Sequence, residues 1–205
     1  MNSDEKHEHE IRQMRILMYD TAKSFFAESP DNERCRMWHS LFSAFSEARQ
    51  EPEIASASEK LVKILDKQGC EGVKKEYSAL FVDPYSECRL NRTASWYADG
   101  KSLGPTLAAV RQLMQEAGIE RSRDYREPED SIEVLMDSMI LLLEEAGRKG
   151  EEHGLEFRQR LFLDFIMPLA EAMISRMKSM DDFPFYQACS GYLKGWLTLE
   201  KPFAL

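Results

Sequence analysis

The sequence has no long hydrophobic run. Its longest uninterrupted apolar stretch, Met139 to Leu143, is five residues, whereas a bilayer span needs about twenty and the core of an export signal about 7 to 15. Positive charge is also in short supply: 27 Lys and Arg against 36 Asp and Glu leave a net charge of −9, which opposes binding to phosphate backbones or anionic lipid. The opening ten residues carry Asp4, Glu5, Glu8 and Glu10, so the cationic start of an export leader is missing too. These absences predict a cytoplasmic chain with no transmembrane segment and no nucleic-acid partner.

Cysteine is sparse. Cys35, Cys70, Cys88 and Cys189 are separated by 35, 18 and 101 positions, with no CxxC pair and no metal-ligand rhythm, and they read as reduced thiols. His7-Glu8-His9-Glu10 lacks the HExxH spacing, and residues two apart point away from each other on a helix. Gly100-Lys101-Ser102 lacks the earlier glycine of a phosphate loop, because Ser95 stands there, and no dinucleotide fingerprint occurs. Serine nucleophile elbows are read as missing as well, and the expectation is a protein that needs no metal or cofactor.

What is present is helical periodicity. With 43% apolar and 31% charged residues over 205 positions, the chain has the composition of a folded globule. Apolar residues recur at helical spacing while strict alternation is absent, which predicts an all-α bundle of about 8 to 10 helices. Met14, Leu17, Met18, Thr21 and Phe25 share a face, and after Ser29-Pro30-Asp31-Asn32 a second set follows with Trp38, Leu41, Phe42 and Phe45. Ile54 to Leu65 predicts a third helix ended near Gly69, and Gly72 to Phe81 a short fourth that stops before Asp83-Pro84. Residues 83–104 read as a loop carrying Trp96 and Tyr97. The next helix holds Leu103, Leu107, Val110, Leu113, Met114 and Ala117 and is closed by Gly118.

From Gly118 to Asp130 eight of thirteen residues are charged, the composition of an exposed hinge. It divides the chain into an N-terminal helical subdomain over 1–117, a hinge over 118–130 and a C-terminal helical subdomain over 131–205, loosely separated parts of one domain. Pro128 suits the first turn of a strong helix, with Glu129 and Asp130 favouring its positive end. That helix carries Ile132, Leu135, Met136, Met139, Leu142, Leu143 and Ala146 and ends at Gly147. A further stretch runs from Leu161 to Met177, with Pro168 expected to kink or divide it. The final helix spans Phe185 to Leu199. Gly191 and Gly195 inside it suggest close internal packing, and Met167, Met173, Met177 and Met180 suit core filling better than a pliable surface.

Two features point to binding. Ser95-Trp96-Tyr97 supplies an aromatic platform, and Glu127-Pro128-Glu129-Asp130 supplies carboxylates able to hold a guanidinium through paired hydrogen bonds. Together they suit a cationic, partly apolar peptide. The plainer readings are an aromatic cluster in the core and a capped helix.

Tyr77-Ser-Ala-Leu80-Phe81 followed by Pro84, then Ala94-Ser95-Trp96-Tyr97 and Gly104, resembles the TorD/DmsD family of redox-enzyme maturation chaperones. Glu127-Pro128-Glu129-Asp130-Ser131 is similar to that family's signature of glutamate, proline, any residue, aspartate and histidine, and Pro168 and Phe185-Tyr186 follow in the family's order. The likeness covers about Tyr77 to Leu199. Ser131 replaces the family histidine, Phe165 another, and Leu169 a frequent tryptophan. A serine supplies no imidazole that titrates near neutral pH. The resemblance implies an all-helical cytoplasmic chaperone that binds the twin-arginine leader of a molybdenum-cofactor oxidoreductase and delays its export until cofactor is inserted. Carried over position by position, Leu80, Phe81, Trp96 and Tyr97 would receive the apolar part, Glu127 and Asp130 the arginines, and Pro128 and Ser131 would shape the loop. A monomer and a domain-swapped dimer both fit. The alternative is a helical assembly module that binds the mature part of an anaerobic respiratory enzyme.

Overall fold

The computed structural model describes residues 3–49, 51–120, 122 and 126–204, and its regular structure is helical, as expected. The chain groups into two compact units, each assembled from separate stretches. One comprises Met1–Ala27, Arg92–Ala170 and Glu200–Leu205, the other Glu28–Asn91 and Glu171–Leu199. Residues 92–117 and 131–170, which flank the expected hinge, both lie in the first unit. Residues 121 and 123–125 of that hinge lie outside the described residues.

In the first unit, helix α1 (Ser3–Ser24) packs on the helix that follows Ser131. Its buried face is Met18, Tyr19 and Ala22, with Phe25 buried just past its end, while Met14 and Leu17, expected inside, are exposed. The rotation follows from polar anchoring. Arg15 pairs with Glu200, and the Tyr19 hydroxyl donates to the same buried carboxylate at 3.0 Å. Burial and that carboxylate together push the Tyr19 hydroxyl well above its ordinary pKa.

The loop expected over 83–104 contains a short helix, α4 (Ala94–Asp99), ahead of α5 (Pro105–Glu116). Helix α6 (Ile132–Lys149) starts four residues after Pro128, with Ser131 at its N-cap accepting the Val134 amide. Pro128 instead closes a turn, its carbonyl accepting the Ser131 amide at 3.0 Å. The expected stripe of α6 is buried along its length, and the helix continues through Gly147 to stop at Gly150, whose φ is 107°. Helix α7 (Leu155–Arg160) passes through a π turn, Leu161–Ile166, into α8 (Met167–Lys178). The widened turn lies just before Pro168, which has no amide hydrogen to give the preceding ladder.

In the second unit, α2 (Asn32–Ala48) is capped by Asp31, whose carboxylate accepts the Arg34 amide at 2.7 Å. It packs against α3 (Pro52–Tyr77). The two helices expected over 54–81 are one element broken at Gly69 (φ 63°, ψ −176°) and extended by a π turn, Ser78–Val82. Cys35 and Cys70 are joined in a disulfide, with Cα atoms 5.7 Å apart. This corrects the expectation of four reduced thiols and leaves Cys88 and Cys189 free. Helix α9 (Pro184–Glu200) completes the unit. Trp38 meets Phe185 with ring centres 5.1 Å apart, and Phe42 meets Tyr192 at 5.9 Å. Each such buried ring contributes roughly 1.5–3 kcal/mol. A Cβ on Gly191 would lie 3.2 Å from that of Ala57, and one on Gly195 would lie 2.6 Å from Ile54, so α3 and α9 approach as the two glycines suggested. Met173, Met177 and Met180 are buried as core filling, while Met167, in the first unit, is half-buried.

Candidate functional site

Within the first unit the two sequence segments singled out for binding are sewn together by backbone. Thr93 and Ser131 form an isolated antiparallel bridge, the Ala94 amide donates to the Asp130 carbonyl, and the Ile132 amide donates to the Arg92 carbonyl, both at 2.9 Å. Helix α4 gets no cap from the side chain of Thr93 at its N-cap position. Asp130 takes over that role from the other segment: its Oδ2 accepts the Ser95 amide at 2.8 Å. An accepting carboxylate suits a helix start because the first amides have no intrahelical partner. Asp130 Oδ1 is buried without a hydrogen-bond partner among the described residues.

Ser95 passes the constraint on. Its hydroxyl accepts the Leu103 amide at 3.1 Å, which holds Leu103 in the left-handed region at φ 61°. Gly104 is needed because a Cβ there would run into Asp99, whose carboxylate accepts the amide and hydroxyl of Thr106 at 2.9 Å and starts α5. Trp96 sits on this braced frame 47% exposed, Tyr97 is half-buried, and Leu103 is 69% exposed. Leu103 belongs to no helical stripe, contrary to the sequence reading. It is an exposed apolar residue on the turn fixed to α4, which the sequence reading missed.

Beneath this frame lies Arg92. Its guanidinium donates to the Phe26 carbonyl at 2.6 Å, pairs with the buried Glu133 and reaches Glu127 at 3.4 Å. Burial pushes the Glu133 carboxyl above its ordinary range, and Arg92 opposes that. Glu129 pairs with Arg111 at 2.9 Å.

The sequence-derived candidates therefore separate. Trp96, Tyr97, Glu127 and Pro128 each keep some accessible surface, and backbone contacts bring their two segments together. Asp130 and Ser131 expose none: Asp130 holds α4 and Ser131 caps α6. Leu80 and Phe81 belong to the second unit. Leu80 is fully buried and its carbonyl accepts the Leu90 amide, while Phe81 lies half-buried between Tyr77 and Tyr186 at 5.0 and 5.3 Å. That aromatic group rests on Glu76, whose carboxylate accepts the amides of Phe185 at 3.0 Å and Tyr186 at 3.3 Å and so caps α9.

Among the described residues no three His, Cys, Asp or Glu side chains converge as metal ligands, and no helix is long and apolar enough to cross a membrane. Gly100-Lys101-Ser102-Leu103-Gly104 has the spacing of a serine nucleophile elbow, which corrects the expectation that the sequence has none. It joins two helices instead of a strand and a helix, and no histidine bonds Ser102 among the described residues.

A family model described as nitrate reductase delta subunit matches residues 47–174, a span that holds both the 92–97 and 127–131 segments and ends before α9. Over 97 residues the chain is 31% identical to a Chaperone protein TorD of Photobacterium profundum, an alignment that covers 45% of this chain and 45% of that protein. The likeness thus spans under half of that relative's length. With the family model covering most of the chain, the protein belongs to the nitrate reductase delta subunit family.

Proposed function

We propose that the protein is a redox-enzyme maturation chaperone that works in the cytoplasm. It binds the twin-arginine leader of a molybdenum-cofactor oxidoreductase and delays export until the cofactor is in place. It catalyses no reaction and holds no cofactor of its own. The observation that carries this reading is Trp96, a large ring left half exposed on a helix whose position is fixed by the buried Asp130, on a segment bridged to the one that carries the part-exposed Glu127. A leader presents two arginines followed by an apolar stretch. A guanidinium stacks on an indole for about 0.5–2 kcal/mol and forms charge-assisted bonds to a carboxylate, and Leu103 extends the apolar surface. Membership of the family and the likeness to a chaperone named TorD support the same reading.

Calorimetric titration of the full chain with a synthetic leader peptide, two adjacent arginines followed by an apolar segment, tests it. Binding is expected, and Trp96→Ala should weaken it about 30-fold, as for a hot-spot aromatic worth about 2 kcal/mol. Absence of heat with leaders from the same genome would overturn the reading. Capture of a client enzyme that lacks its leader would favour the alternative of a module for the mature protein.

A further inference from the structure

The second unit carries a trough of about 750 Å³ between α3 and α9, open to solvent. Its floor is made of small residues, with Ala57 and Ala188 buried and Gly191 beside them. Its rim is cationic: Lys60, Lys63, Lys178 and Lys194 line it, with Glu53 as the acid among them. Lys63 is engaged by Glu59 and Lys194 by Glu53. Lys60 and Lys178 make no ion pair among the described residues and stand exposed on a chain whose net charge is −9. Positive charge has been collected here against the average of the molecule.

We infer that this trough docks an acidic amphipathic helix of a partner protein. Three features select that occupant. Along α3 the lining runs from Pro52 to Ile64, which at 1.5 Å per residue is roughly 18 Å, or about three turns of a second helix. The small floor residues let another helix approach closely. The lysine rim fits carboxylates on the flanks of an apolar ridge and repels a basic peptide, so electrostatics would choose the partner. A small anion would leave such an open trough mostly unfilled, since small-molecule sites enclose most of their ligand. The surface uses none of the residues around Trp96 and stands or falls independently of leader binding.

The test is fluorescence anisotropy of the full chain with a labelled peptide of about 14 residues, with leucine along one helical face and glutamate on the flanks. Saturable binding is expected. It should weaken about tenfold in Lys60→Glu/Lys178→Glu and by a similar factor when salt is raised from about 50 to 300 mM. Ser56→Trp, on the exposed rim, should block it sterically with the charges intact, and a lysine-flanked peptide with the same leucines should not bind. Equal binding by wild type and the double lysine variant, no binding by the acidic peptide, or equal binding of the lysine-flanked peptide would overturn the inference. Displacement of the peptide by inorganic phosphate at matched ionic strength would also overturn it, making the trough a simple anion site. Melting curves of the variants, all altered at exposed positions, verify that they fold.

Discussion

Asp130 gives its carboxylate to the Ser95 amide and has no accessible surface, an arrangement that supports a role in positioning Trp96 over the proposed role of receptor for arginine. The two roles respond differently to a conservative change. Asp130→Ala leaves a buried amide without its acceptor and should cost about 1–3 kcal/mol of stability while weakening leader binding through the shifted α4. Asp130→Asn keeps an oxygen in place and should restore most of both, read by denaturant melts and calorimetry on the same samples. Equal loss of leader affinity in Asn and Ala variants, with stability restored only in the former, would instead mark a direct charge contact.

Glu76 offers a second test at this scale. Burial holds its carboxyl above the ordinary range, although bonds from Gln68, Phe185 and Tyr186 oppose that. A raised value in the folded state means that the folded protein binds the proton more tightly. Its stabilising contribution is full below the unfolded pKa and lost as pH rises through the folded one. Wild type should therefore lose stability relative to Glu76→Gln as pH rises from about 4.5 to 7. A urea midpoint difference that does not change with pH would show that the site does not titrate this way.

At the scale of elements, Gly69 sets the course of α3. Its φ of 63° and ψ of −176° lie in a region that side chains with a Cβ avoid, so Gly69→Ala should cost about 1–3 kcal/mol despite open space around the position. A neutral result in a chemical melt would mean that the break relaxes into continuous helix. The sequence signals this glycine as a helix end and cannot show that the chain resumes in the same element. The long helices were legible because their apolar periodicity is strong, above all in α6. Helix α4 was not, since six residues give too little periodicity and its cap comes from Asp130, 36 positions after its first residue. Leu103 was misplaced for a related reason: its apolar character extends the stripe of α5, but a left-handed φ turns it away. For the proposed site, the motifs pointed to Trp96, Tyr97 and Glu127, which keep accessible surface. They did not separate carboxylates that face solvent from those consumed by backbone amides, because that depends on a long-range bridge.

For the molecule as a whole, the disulfide and the proposed cytoplasmic setting pull in opposite directions, since cytosolic thiols are kept reduced. The bond closes a loop of 35 residues, which in the chain-entropy view contributes about 4 kcal/mol by restricting the unfolded chain. Thiol titration of the purified, unfolded protein should count only Cys88 and Cys189 without reductant and all four cysteines with it, and reduction should lower the unfolding midpoint. Four reactive thiols without reductant would show that the bond is absent from the isolated protein.

The exposure of the three tryptophans gives the most direct test of leader binding at Trp96. Trp38 and Trp196 are each 1% exposed, whereas Trp96 is 47% exposed, so a collisional quencher such as acrylamide reads Trp96 almost alone. With saturating leader peptide, emission should shift to the blue and quenching should fall to the level of a Trp96→Phe variant. Unchanged quenching while calorimetry shows the leader bound would place the leader elsewhere and contradict the account.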